Sequence, residues 1–145
     1  MINYTISYNN PHRHFVDFEL STKTSGKEKM QFQLPAWRPG RYELANFAQN
    51  IQKWAAFDEN KNLLDFKKIT KDLWEVETKG SEEITVAYNF YANQLDAGAC
   101  YLDEHQLYLN PVHCMFYIDS RMEEDYIIKL DIPENYEIAS SMEQE

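Results

Sequence analysis

The chain has 145 residues, enough for one domain with a core of its own and too few for two of ordinary size. Its 24 acidic and 14 basic residues give a net charge of −10, which argues against a nucleic-acid or anionic-membrane surface and leaves cationic or neutral partners. Aromatic residues at 14% and charged residues at 26% exclude a disordered chain and predict packing around large rings.

The opening Met1-Ile2-Asn3-Tyr4-Thr5 carries neither a basic n-region nor an apolar h-region, and no run reaches membrane-spanning length, so the cytoplasm is the expected location. Ile2 to Tyr8 reads as the first strand. In Val16 to Leu20, apolar Val16, Phe18 and Leu20 alternate with Asp17 and Glu19; in Met30 to Leu34, Met30, Phe32 and Leu34 alternate with Gln31 and Gln33. Ser25-Gly26-Lys27 is the turn between these two strands.

Leu34-Pro35-Ala36-Trp37-Arg38-Pro39-Gly40-Arg41-Tyr42 interrupts the alternation. Pro35 and Pro39 fix their own φ and push Leu34 and Arg38 toward extended backbone, so no regular helix runs through. Pro39-Gly40 reads as the centre of a type II turn, with Arg38 and Arg41 at its ends and Trp37 and Tyr42 outside them, placed for guanidinium-on-ring contacts. Two readings of this corner stand: a rigid plug whose aromatics close one end of the core, or a docking surface rich in Trp, Tyr and Arg. Leu44, Phe47, Ala48 and Ile51 then recur at i, i+3, i+4 and i+7, which predicts one short helix after the corner.

Further strands are predicted at Lys53 to Phe57, Leu63 to Ile69, Leu73 to Thr78, Glu83 to Tyr91, Leu107 to Leu109, Cys114 to Ile118 and Tyr126 to Ile132. The cleanest is Glu83 to Tyr91, where Ile84, Val86, Tyr88 and Phe90 share one face. Tyr136-Glu137-Ile138 starts like another strand and fades into polar residues, as in a chain cut before its last strand is complete. Many short strands at this spacing define the expected fold: an all-β antiparallel sandwich, one domain over residues 1–145, with one short helix after the Pro-Gly corner. An exposed edge at its end would allow pairing of two copies into a homodimer.

The search for chemistry finds little. A thermolysin-type zinc site needs H-E-x-x-H, and none occurs. His12 and His14 would share a face of an extended segment but lack a third ligand. Cys114 with His105 or His113 lacks an activating frame, so Cys100 and Cys114 read as small, reduced core residues. Gly26, Gly40, Gly80 and Gly98 are scattered and make no phosphate loop, and no G-x-S-x-G is present. The residues therefore offer no catalytic group and no metal site.

Taken together, Leu34 to Leu44, Phe47-Ala48, Asn50-Ile51, the opening Ile2 to Tyr8, Tyr101-Leu102-Asp103 and Leu107-Tyr108-Leu109-Asn110-Pro111 resemble the N-terminal domain of the glycyl aminopeptidase family of zinc metallopeptidases. The resemblance implies a β-sandwich followed, in the parent protein, by a thermolysin-like zinc domain and a PDZ-like domain. Zinc would then lie in the catalytic domain and not in this chain. It implies a non-catalytic role, packing on the catalytic domain of the same polypeptide and shaping a cleft for a peptide with a free amino end. Trp37, Arg38, Arg41 and Tyr42 become candidates for the interdomain contact. By analogy with related zinc aminopeptidases, Tyr101, Asp103, Glu104 and Asn110 become candidates for the cleft rim, carboxylate and amide oxygens being suitable acceptors for an ammonium group. The alternative is a self-standing sandwich that binds carbohydrate or peptide through Trp37, Trp54 and Trp74.

Overall fold

A computed structural model describes residues 1–145 and places the alternating segments in two facing sheets. The strands are β1 (Ile2–Ser7), β2 (Phe15–Lys23), β3 (Lys29–Gln33), β4 (Ile51–Asp58), β5 (Leu63–Leu64), β6 (Phe66–Thr70), β7 (Leu73–Glu77), β8 (Glu83–Tyr91), β9 (Tyr101–Leu102), β10 (Leu107–Tyr108) and β11 (Tyr126–Asp131). One sheet runs β11-β1-β2-β8-β4-β5, the other β3-β7-β6, and β9 and β10 form a separate hairpin. The fold is an all-β sandwich. Its pairings are antiparallel except that of β1 with β11, which run parallel with Ile2 opposite Tyr126. No helix is long and apolar enough to cross a membrane.

Alternation settles which side faces inward. Val16, Phe18 and Leu20 on β2 and Ile84, Val86, Tyr88 and Phe90 on β8 are buried against Phe32 of β3 and Trp74 and Val76 of β7. Aromatic rings carry the core from sheet to sheet: Phe18 stacks on Tyr88 at 5.1 Å, Tyr88 meets the edge of Phe116 at 4.9 Å, and Phe116 meets Trp74 at 5.1 Å. Trp74 in turn stacks on Trp54 at 5.6 Å.

The structure corrects several expectations. Leu63 to Ile69 is two strands: β5 pairs with β4 in the large sheet, the chain crosses at Asp65, and β6 joins β7 in the small one. Cys114 to Ile118 is not a strand. Pro111–Cys114 forms a short helix, α1, because proline at its first position needs no N–H partner, and only Tyr117 then pairs, with Gln33. The segment is instead tied to the large sheet by side chains: the Tyr4 hydroxyl donates to Phe116 O (2.9 Å) and accepts from Phe116 N (2.8 Å), and Tyr88 Oη donates to Cys114 O (2.6 Å).

After the corner, only Phe47–Asn50 closes into a turn of 3-10 helix. The predicted period fails because Leu44 stays in solvent, no side chain caps the turn, and Ile51 is already paired with Phe90. Tyr136-Glu137-Ile138 forms no strand; Tyr136 follows a turn closed on Pro133 O, and its hydroxyl lies 3.0 Å from that of Tyr8.

Candidate functional site

The Pro-Gly corner folds as expected at its centre. Gly40 has φ +91°, a conformation L side chains rarely adopt, and Arg41 N donates to Arg38 O at 3.3 Å, closing the turn. The arrangement around it departs from the plug and from the guanidinium-on-ring contacts expected. Trp37 and Tyr42 do not plug the core: Trp37 is half exposed and Tyr42 wholly exposed. Nor do they take up the guanidinium groups, since the cation-over-ring contact in the structure is Lys68 on Trp74. Trp37 Nε1 instead donates to Arg41 O at 2.7 Å, latching the turn shut from outside.

The two arginines turn inward, toward the loop 93–98. Arg38 Nη2 lies 2.7 Å from where a Cβ on Gly98 would stand, and Arg41 Nη2 is closer still, so the guanidinium groups occupy the space a side chain there would take. That loop is self-braced: Asp96 accepts from Gly98 N (2.7 Å) and from Gln94 Nε2 (2.5 Å). These donors, with the nearby guanidinium groups, hold the Asp96 carboxyl below its ordinary range. Neither arginine has an ion-pair partner within 4 Å or a side-chain hydrogen bond, and Arg38 Nε is buried without an acceptor.

His113, at the end of α1, completes this corner. Its ring stacks on Phe47 at 4.0 Å, it is 2% exposed, and Nε2 has no partner. Burial first, then the charges of Arg38 and Arg41, push its pKa down to about 4, so the imidazole is neutral at pH 7. Beside it opens a cavity of about 290 Å³ lined by Arg41, Asn46, Asn50, Gln94, Gly98 and His113, among others.

The cleft-rim candidates divide between two places. Tyr101 lies on β9, and Asp103 and Glu104 lie in the hairpin turn that follows. Asp103 Oδ1 accepts from His105 N (2.7 Å) and Gln106 N (2.9 Å), which lowers its pKa and commits one oxygen to the turn. Glu104 sits 2.5 Å from His12 Nδ1 in an exposed pair. Asn110 stands apart, before α1, where its backbone serves both cysteines: Cys100 Sγ accepts from Asn110 N and Cys114 Sγ donates to Asn110 O, each at 3.4 Å.

His12 and His14 do not share a face. His12 lies in a 3-10 turn, Pro11–Arg13, and His14 follows in the left-handed region at φ 61° with Nδ1 donating to Leu102 O. No group of three His, Cys, Asp or Glu side chains is arranged to hold a metal ion, so zinc has no fitting ligands in this chain. His113 Nε2 makes no hydrogen bond to a thiol, and both cysteines are free and buried. Trp54 and Trp74 are core residues, which leaves Trp37 alone of the three tryptophans at the surface.

Fold and site together define an all-β sandwich domain with a rigid, partly apolar corner on its surface. The Peptidase M61 N-terminal domain family matches residues 3–145, and the chain belongs to that family. Among solved structures, an aminopeptidase N family protein from Idiomarina loihiensis is similar at 27% identity with a TM-score of 0.84, over 92% of this chain and 22% of that one. The chain thus spans about a fifth of the length of that protein, and it is a protease N-terminal domain. No curated protein matches it.

Proposed function

We propose that this domain is the non-catalytic N-terminal part of a zinc-dependent aminopeptidase, packing on the catalytic domain of the same polypeptide and shaping its substrate cleft. The observation that carries the reading is the exposure of the corner. Tyr42 at 104%, Leu44 at 77% and Trp37 at 49% stand in solvent on a turn locked by Pro39, Gly40 and the Trp37 indole. Apolar groups held rigidly outside a core lose little entropy when covered, which is how an interface is prepared. Trp37, Arg38, Arg41 and Tyr42 are the proposed interdomain contact.

The hairpin with Tyr101, Asp103 and Glu104 offers two carboxylates to the amino end of a peptide, and an Asp103 ionised by its backbone donors suits that task. Asn110 lies on a different segment and would contribute from beside it. Zinc and its general base belong to the catalytic domain, as does any PDZ-like domain to the longer protein. In an assay with glycyl and alanyl anilides and added zinc, the purified chain is expected to release no amine. Turnover abolished by a chelator would overturn the non-catalytic reading.

A further inference from the structure

Arg38 and Arg41 present two positive charges at one point with no anion against them. Bringing two guanidinium groups together costs Coulomb energy unless something negative is shared between them. The chain is acidic overall, with 24 acids available, yet none pairs with either arginine within 4 Å. Asp96 is a carboxylate on which both guanidinium charges act, and each of its oxygens already accepts a hydrogen bond, from Gly98 N and from Gln94 Nε2. Two cationic groups and this one anionic group leave a single net positive charge around a neutral imidazole.

The site also has built, unfilled hydrogen-bonding capacity. Arg38 Nε and His113 Nε2 are buried without partners, and His113, 98% buried by its 2% exposure, lines the cavity directly. A buried donor left without a partner destabilises the fold, and a bound acceptor would remove that penalty. The other polar walls are the amides of Asn46, Gln49, Asn50, Asn93 and Gln94 and the hydroxyl of Tyr91, with no lysine among them. A guanidinium fork binds a planar two-oxygen anion in a bidentate manner, and one net charge matches a monoanion better than a phosphate dianion.

We propose that Arg38, Arg41 and His113 form a binding site for the carboxylate of a peptide chain, supplied by its C-terminus or by an acidic side chain. Gly98 makes the site possible by leaving room for both guanidinium groups, and Phe47 fixes the imidazole by stacking on it. The site belongs to this chain alone and does not rest on the aminopeptidase reading.

The test is an NMR titration of the isotope-labelled chain with triglycine, triglycinamide, N-acetylaspartyl amide and inorganic phosphate, following the Arg38 and Arg41 Nε–H and Gly98 N–H resonances. Saturable millimolar shifts are expected from triglycine, from N-acetylaspartyl amide or from both, and none from triglycinamide. The His113 ring, whose pKa is pushed down by burial and then by the charges of Arg38 and Arg41, should titrate higher with the carboxylate bound, because the arginine part of that effect is then neutralised. Arg41→Gln should weaken binding by about tenfold or more, while Arg13→Gln, on another turn, should not. The titration of the unaltered chain stands by itself should Arg41→Gln disturb the fold. No saturable shift from either carboxylate probe, equal shifts from triglycinamide, or phosphate binding where carboxylates do not, would each overturn the proposal. Loss of this site would leave the aminopeptidase reading untouched, and turnover by the isolated chain would leave the carboxylate site untouched.

Discussion

Replacing Tyr4 by Phe removes one oxygen from a side chain that is 1% exposed, and the structure says what that oxygen does. It donates to Phe116 O and accepts from Phe116 N, at 2.9 and 2.8 Å, so one hydroxyl satisfies both backbone groups of a residue that sits in no strand. Phe116 is itself buried, and neither its N–H nor its C=O pairs with a neighbouring strand. Tyr4→Phe leaves a donor and an acceptor orphaned together, each worth about 1–3 kcal/mol, and the relief of burying one hydroxyl fewer offsets part of that. The expected loss is about 2–4 kcal/mol. Tyr88→Phe is the internal comparison, because its hydroxyl donates to a single backbone group, Cys114 O, and leaves no backbone N–H orphaned, and about 1 kcal/mol is expected there. Urea unfolding followed by tryptophan emission reads both, since Trp54 and Trp74 lie beside Phe116 in the core. The midpoint should fall with the slope unchanged. A Tyr4→Phe chain within about 0.5 kcal/mol of the parent, or no weaker than Tyr88→Phe, would refute the claim that side chains hold the segment 115–118 in place of a strand ladder.

Gly98 carries no positive φ, so Gly98→Ala is compatible with the backbone and should leave stability within about 1 kcal/mol while driving Arg38 and Arg41 apart. Unchanged Arg38 and Arg41 resonances in that variant would contradict the convergence described here. Glu124 is held down to about 2 by its pairing with Arg121 and the chain's amino terminus. Its folded pKa lies below the unfolded value of 4.5, so its contribution is present above that value and is lost as pH falls through about 2. Glu124→Gln should flatten the acid limb of the stability curve between those values; an identical pH profile would refute the assignment. Cys100 and Cys114, at 3% and 0% exposure, should resist alkylation until the chain unfolds, and mass spectrometry showing rapid labelling under native conditions would contradict their burial.

Alternation made the large sheet legible: Val16, Phe18 and Leu20, and Ile84 to Phe90, point inward as their spacing requires. The same signal was right about burial and wrong about pairing at Cys114, Phe116 and Ile118, which all face the core although only Tyr117 between them bridges to another strand. Alternation reports which side is covered, not whether a neighbouring backbone lies alongside. The crossing at Asp65 left no trace because β5 and β6 differ in partner rather than in composition.

The corner was legible as a rigid turn from Pro39-Gly40, and its arginines drew notice for their closeness to Trp37 and Tyr42. Their actual neighbours, Gly98 and His113, arrive from distant segments through tertiary packing. Gly98 was the available signal: a glycine with ordinary φ, in a loop already closed by Asp96, marks close approach by something else.

Hydrogen exchange at the corner tests the central claim most directly. Backbone amides of residues 37–44 and 101–110 would be followed in the isolated chain and in the same chain joined to the peptidase domain we propose for it. A domain that packs through Trp37, Arg38, Arg41 and Tyr42 predicts slower exchange over 37–44 in the joined protein, with the strands of the large sheet unchanged. Equal exchange at the corner in both would contradict it.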